Sequence, residues 1–309
     1  MDAVLIDDSL IPPERLRELQ QRRNGPSARR FIAQSLAYFG SAAGLVLIDD
    51  LGILVALLLI NAVIQFGMFG MLHESCHNTV FTSRALNRLA GWVAALAQPM
   101  SPALMRAFHF EHHRHTHELA DDPELGGLAF MARWPRGLMW LATISGISLV
   151  VARVGWSMFA ALTPATLELW DHVLPFVKPA ERRRVAWEAR LLLVIHGAVI
   201  TAAIVWMPSL SRVYVGTLLG HALLAWYITC EHRGLPQQGS IFNRTRTLQT
   251  PGFVRWLVWN MPYHAEHHAW PAIPWHALPG VHAQVREHLV HVERPFYLHL
   301  HGGRQRPSP

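Results

Sequence analysis

The chain is poor in cysteine and in charge. Two cysteines among 309 residues, Cys76 and Cys230, allow at most one bridge and exclude a disulfide framework. No Cys-x-x-Cys pair offers an iron–sulfur or redox site, and no Gly-x-Gly-x-x-Gly offers a dinucleotide cradle. Charged residues make up only 16% of the chain against 51% hydrophobic ones, which is sparse for the surface of a soluble domain. The first thirty residues are rich in arginine (Arg15, Arg17, Arg22, Arg23, Arg29, Arg30) and hold no short apolar run before a cleavage site, so no secretory leader is expected. The net charge of +6 sits in the flanks of apolar blocks and reads as a positive-inside bias, not as a nucleic-acid footprint. No internal repeat or low-complexity domain is evident.

In place of charge there are long apolar runs. Residues 31–48, 51–72, 191–207 and 213–230 carry no charged side chain. Roughly 20 apolar residues cross a hydrocarbon core ~30 Å thick, so the expected fold is all-α, an integral membrane bundle of about four transmembrane helices. Residues 1–30 are expected to form a cytoplasmic arm, with 13–30 a cationic helix on the membrane surface. Residues 31–295 form the membrane domain and 296–309 a tail. Residues 86–97, flanked by Arg84 and Arg88 and stopped by Pro99, suit an interfacial helix. Residues 137–163 are apolar but interrupted by Arg153, preceded by Arg133 and Arg136 and closed by Pro164; an interfacial or re-entrant course is expected.

Histidines then organise the chain into three clusters: His73-Glu-Ser-Cys-His77, His109-Phe-Glu-His112-His113 and His264-Ala-Glu-His267-His268. Residues three and four apart share a helix face, so each cluster can aim imidazoles at one point. Imidazole suits iron, zinc, copper and nickel. Eight such ligands exceed the needs of one ion and suit two. If the clusters meet they share one side of the membrane, and the Arg-rich start places that side in the cytoplasm. With an even number of crossings between the second and third clusters, His232, at the end of the last run, emerges beside them as a further candidate ligand. His115 and His117 are surplus, and His196 and His221 lie inside apolar runs as expected hydrogen-bonded bundle residues. Ligating imidazoles need their second nitrogen anchored, often by carboxylate. Glu74, Glu111, Glu231, Glu266, Asp121 and Asp122 are near enough in sequence to serve, and Asn260, which opens the third motif, joins that set.

Read alone, His73-Glu74-x-x-His77 is also a zinc-protease signature, two ligands and a general base on one helix turn. The two further clusters are surplus to such a site. A histidine-rich metal transporter is the third reading, but the histidines sit at span ends and beyond, not along a transmembrane path.

The order and spacing of the three boxes on a membrane protein resemble the integral-membrane fatty acid desaturase and hydroxylase family. His112-His-Arg-His-Thr116 before Asp122-Pro-Glu-Leu125, and Asn260-Met-Pro-Tyr-His-Ala-Glu-His-His268 before Pro271, resemble its bacterial desaturase-like branch; the likeness covers roughly residues 35–290. The resemblance implies two iron ions, O2 as co-substrate and a lipid or other hydrophobic substrate. It implies the ligands His73, His77, His109, His112, His113, His264, His267 and His268, with His232 as the extra histidine some members place after the last span. Where animal acyl-CoA members carry an asparagine four residues before that histidine, this chain has Ile228, so acyl-CoA is not carried over as substrate. With no redox motif of its own, the chain is expected to use a separate ferredoxin-, rubredoxin- or reductase-like donor. The expected reaction is acyl-chain desaturation, with hydroxylation as the alternative, at the bacterial inner membrane with the site and both termini cytoplasmic. Segment 137–163, Gly146 included, is expected to line the substrate channel.

Overall fold

The computed structural model describes residues 10–125 and 135–294; the expected tail and the start of the arm lie outside them. A short helix α1 (Pro13–Leu19) precedes the hairpin of α2 (Asn24–Leu47) and α3 (Leu51–His77). In the turn between them the Asp50 side chain accepts from Ile53 N at 2.9 Å and starts α3. At ~1.5 Å per residue, α3 is about 40 Å long, longer than a ~30 Å hydrocarbon core. Its last turns therefore reach past the apolar layer, carrying His73 and His77 with them. Asn78, left-handed with φ 56°, ends it.

Next come α4 (Arg84–Ala95) and α5 (Pro102–Arg114), started by Ser83 and Ser101 side chains that accept from Leu86 N and Leu104 N. Proline at the first position of α5 costs no hydrogen bond. Helices α6 (Arg136–Ile144) and α7 (Ile147–Leu162) follow, then the short α8 (Leu169–Val173), the long α9 (Pro179–Val205) and α10 (Ser211–His232). The cap closes with α11 (Ile241–Arg244), α12 (Gly252–Leu257), α13 (His264–Ala269) and α14 (Leu278–Val285). Thr247–Leu248 and Val292–Glu293 make one two-residue parallel pairing.

Among the described residues three helices are long and apolar enough to cross a membrane, spanning 51–77, 179–205 and 208–232, and the pair α6–α7 makes a fourth candidate bent by 71°. Helix α2, the expected first span, is continuous but less apolar, and the reason is one-sided. Ile32, Leu36, Phe39 and Leu47 face outward, while Ser27, Arg30, Gln34 and Ser41 are buried inward. Gln34 donates to the Leu257 carbonyl at 2.6 Å, and Ser41 accepts from Asn61 at 2.9 Å. The expected boundary at residue 30 falls inside this helix, and α1 packs against α14, with Leu19 buried beside Gly280.

The break between α6 and α7 is at Gly146, left-handed at φ 71°, where a Cβ would lie 2.4 Å from the His221–Ala222 backbone of α10. Gly146 is thus a packing contact between helices. Arg153 does not face lipid either: it is buried, donating to Gln98 and lying 3.1 Å from His221 Nε2. His221 Nδ1 donates to the Thr217 carbonyl, and His196 meets the Tyr214 hydroxyl, so both act as bundle histidines. Cys76 and Cys230 are buried thiols bonded to carbonyls one turn back. The main apolar core runs through α3, α4, α5, α9 and α10, and a second cluster under α14 holds the arm through Ile11 and Leu19.

Candidate metal centre

The three clusters and His232 meet. Nine buried or half-buried imidazoles fall into two groups: His73, His77, His109, His113 and His267 in one, and His112, His232, His264 and His268 in the other, with nitrogens within 4.8 Å of one another in each. Successive helical residues are turned by about 100°, and this divides each His-x-x-His-His box. On α5, His109 and His113 share a face and join the first group, while His112 turns to the second. On α13 the sense is reversed: His264 and His268 serve the second group and His267 the first. Each group therefore draws on both boxes, and neither could form from one helix alone.

The nitrogens face one another with unusual density. His109 Nε2 lies 2.8 Å from His77 Nε2 and 2.9 Å from His113 Nε2, which lies 3.1 Å from His267 Nε2. In the second group His264 Nε2 and His232 Nε2 are 2.8 Å apart. The Nε2 atoms of His73 and His268 are buried with no hydrogen-bond partner. One proton can bridge two such nitrogens but cannot satisfy a ring of them. A cation with ~2.1 Å bonds would do so, since adjacent ligand atoms around it lie about 3 Å apart. Burial first, and the neighbouring imidazoles second, hold His109, His113, His264, His267 and His268 well below the ordinary histidine pKa. They are neutral, the form that ligates.

The second nitrogens are held unequally. His112 Nδ1 lies 3.0 Å from both Asp122 oxygens and 3.2 Å from Glu124. Burial opposes charge on His112, but Glu124 and Asp122 outweigh it and lift its pKa to about 9. His232 Nδ1 donates to the Arg244 carbonyl at 2.9 Å, His264 Nδ1 lies 3.4 Å from Glu231, and His268 Nδ1 meets the Thr116 hydroxyl at 3.1 Å. Three of the four imidazoles in that group are thus hydrogen-bonded behind the ring, while His264 Nδ1 only lies near Glu231. In the five-imidazole group, His73 Nδ1 lies 3.4 Å from Glu74, and His267 Nδ1 is buried with no partner.

Of the other anchoring candidates, Glu266 is fully buried but binds His282 at 2.5 Å and Thr247 at 2.6 Å, bracing the turn that carries the third box. Glu111 pairs with Arg114 and His115, and exposed Asp121 lies near His115 and Glu118; neither reaches the nine. Asn260, left-handed at φ 58°, donates to the Trp275 carbonyl at 2.9 Å and shapes the chain before α13. Surplus His117 donates to the Pro236 carbonyl. Glu124, Thr116 and the Arg244 carbonyl were not singled out by the sequence. Glu124 had a signal, two residues past Asp122, and Thr116 follows His112 by one helical turn; a backbone carbonyl has none.

The family model for fatty acid desaturase matches residues 51–299. A β-carotene 4-ketolase of Haematococcus lacustris is 25% identical over 232 residues, covering 69% of this chain and 57% of the relative. A sphingolipid delta(4)-desaturase of Drosophila melanogaster is 25% identical over 243 residues, 74% of this chain and 65% of the relative. A delta(8)-fatty-acid desaturase of Euglena gracilis is 23% identical over 243 residues, 70% and 56% respectively. The chain thus spans less than two thirds of the length of these relatives. With a match running from the start of α3 through the last histidine box, the chain belongs to the fatty acid desaturase family.

Proposed function

We propose that this protein is a membrane-bound, O2-dependent oxidoreductase that desaturates a lipid acyl chain, with two iron ions held by the nine histidines. The observation that carries the reading is their division into groups of five and four converging imidazoles. Bound iron supplies the oxidant that an unactivated C–H bond needs and that no side chain provides. The overall change is one CH2–CH2 unit, O2, two electrons and two protons becoming CH=CH and two waters. The chain's own part is to orient the imidazoles through Asp122, Glu231, Glu74 and Thr116 and to bury the site from water. The electrons come from a separate donor. The cap and both termini lie in the cytoplasm, at the bacterial inner membrane.

Hydroxylation or ketone formation on another hydrophobic substrate is the second reading, favoured by the similarity to a carotene ketolase. The zinc-protease reading loses its base: Glu74 is buried and bound to Thr79 at 2.7 Å and the Trp275 backbone at 3.2 Å, so it is not free to activate water. The test is metal analysis with lipid profiling. Two irons per purified chain and a new acyl double bond in cells carrying the gene are expected. A single zinc with unchanged lipids would refute the reading.

A further inference from the structure

Arg15, Glu18, Gln21, Arg23, His276 and Gly280 line an open hollow of about 470 Å³. A second, of about 570 Å³, adjoins it through Gln21 and is lined by Arg22, Thr82 and Ala272. The Asn24 side chain accepts from Thr82 N at 2.9 Å, so the segment carrying Arg22 and Arg23 is pinned beside Arg84 at the start of α4. Arg22, Arg23 and Arg84 are exposed. Arg15 is matched by Glu18 at 2.6 Å, but among the described residues no carboxylate pairs with Arg22, Arg23 or Arg84. The face is concave and positive.

Its floor leads to the metal centre. The His276 ring lies 5.6 Å from that of Trp275, whose indole lies under the Arg30 guanidinium at 3.8 Å. Trp275 N–H donates to Glu74 Oε2 at 3.2 Å, and Glu74 Oε1 lies 3.4 Å from His73 Nδ1. One covalent step and two polar contacts therefore join the hollow to an imidazole of the five-membered group.

We propose that this hollow docks a small acidic one-electron carrier protein, and that Trp275 and Glu74 form the route from it to His73. The proposal rests on the oxidoreductase reading above. Each docking event oxidises the carrier by one electron and reduces the metal centre by one; two events supply the pair that the reaction consumes. An anionic membrane surface is the rival occupant, but it is flat, and it gives no reason for a concave floor joined to a ligand.

The test uses the full chain in nanodiscs of zwitterionic lipid, with a plant-type [2Fe–2S] ferredoxin as probe. Wild type is expected to bind it at low ionic strength and to release it as salt shortens the Debye length. Arg22→Glu with Arg23→Glu is expected to weaken binding by about tenfold or more, because complementary charge sets encounter and register. Arg183→Glu, an exposed reversal on α9, is the control and should bind as wild type does. Equal affinity of the double variant and wild type would overturn the proposal. So would an unchanged ferredoxin affinity with trypsin protection at Arg22 and Arg23 gained only in anionic nanodiscs, which would assign the face to the membrane. Turnover with a photoreduced chemical mediator needs no docking and should be the same in all three proteins. Its absence in all three would refute the oxidoreductase reading, and ferredoxin binding would still be measured independently of it.

Discussion

Two adjacent aspartates, Asp121 and Asp122, have opposite placements, and replacing each by asparagine separates an anchoring role from mere charge. Asp122 is 3% exposed, with both oxygens 3.0 Å from His112 Nδ1. It also accepts from His117 N at 2.7 Å and Glu124 N at 2.9 Å. Asp121 is exposed and touches none of the nine histidines. Loss of such an anchor costs about 10–100-fold in metal affinity, or roughly 1.4–2.7 kcal/mol. The asparagine amide would also turn a donor toward a backbone N–H, adding about 1–3 kcal/mol locally. If each group holds an ion as proposed, Asp122→Asn is therefore expected to release that of the four-imidazole group while the five-imidazole group keeps its own. The assay is iron per chain after a timed chelator challenge, with Mössbauer spectra to say which site emptied. Metal-free thermal melts report the loop penalty separately. Equal iron retention by Asp122→Asn and wild type, or equal loss from Asp121→Asn, would refute the anchoring argument.

Gly146→Val should prevent folding rather than shift product position, since its Cβ would meet the His221–Ala222 backbone at 2.4 Å and φ is +71°; a well-expressed variant with altered regiochemistry would contradict this. The metal-free protein should lose stability in acid. The depressed imidazoles His109, His113, His264, His267 and His268 contribute fully above the unfolded pKa of about 6.5 and lose that contribution as pH falls below it. His112, raised to about 9, acts oppositely and is lost as pH rises, but it is one group against five. Melting temperatures of the metal-free chain at pH 5 and pH 8 in the same detergent check the sign; a higher value at pH 5 would refute it.

Much of the site was legible in the sequence because helical geometry is local. Imidazoles at i, i+3 and i+4 must project from neighbouring positions on one turn, so the boxes pointed to converging imidazoles before any fold was known. His232 could be added because a span end sits at a definite depth. The anchors were legible only in part. Glu231 and Glu74 adjoin candidate ligands in sequence and in space, and Asp122 returns to His112 from ten residues on, whereas Glu111 is inside the second box and points outward, to Arg114 and His115. Helix phase relative to the partner helices decides such cases, and a single segment does not contain it. The same limit affected α2. Its average apolarity is lowered by Ser27, Arg30, Gln34 and Ser41, and only their burial against the rest of the bundle shows that the outward face is apolar.

By itself the sequence located the long apolar runs and the histidine boxes, because hydrophobic run length and histidine spacing act within one helix. Tertiary structure alone decided that nine imidazoles divide into five and four, with His112 and His267 crossing over from their own boxes. It also decided that Arg153 is a buried partner of Gln98 and His221 rather than a charge at the membrane surface. Both depend on which faces of separate helices meet, and that is set by packing across the bundle, not by neighbours along the chain.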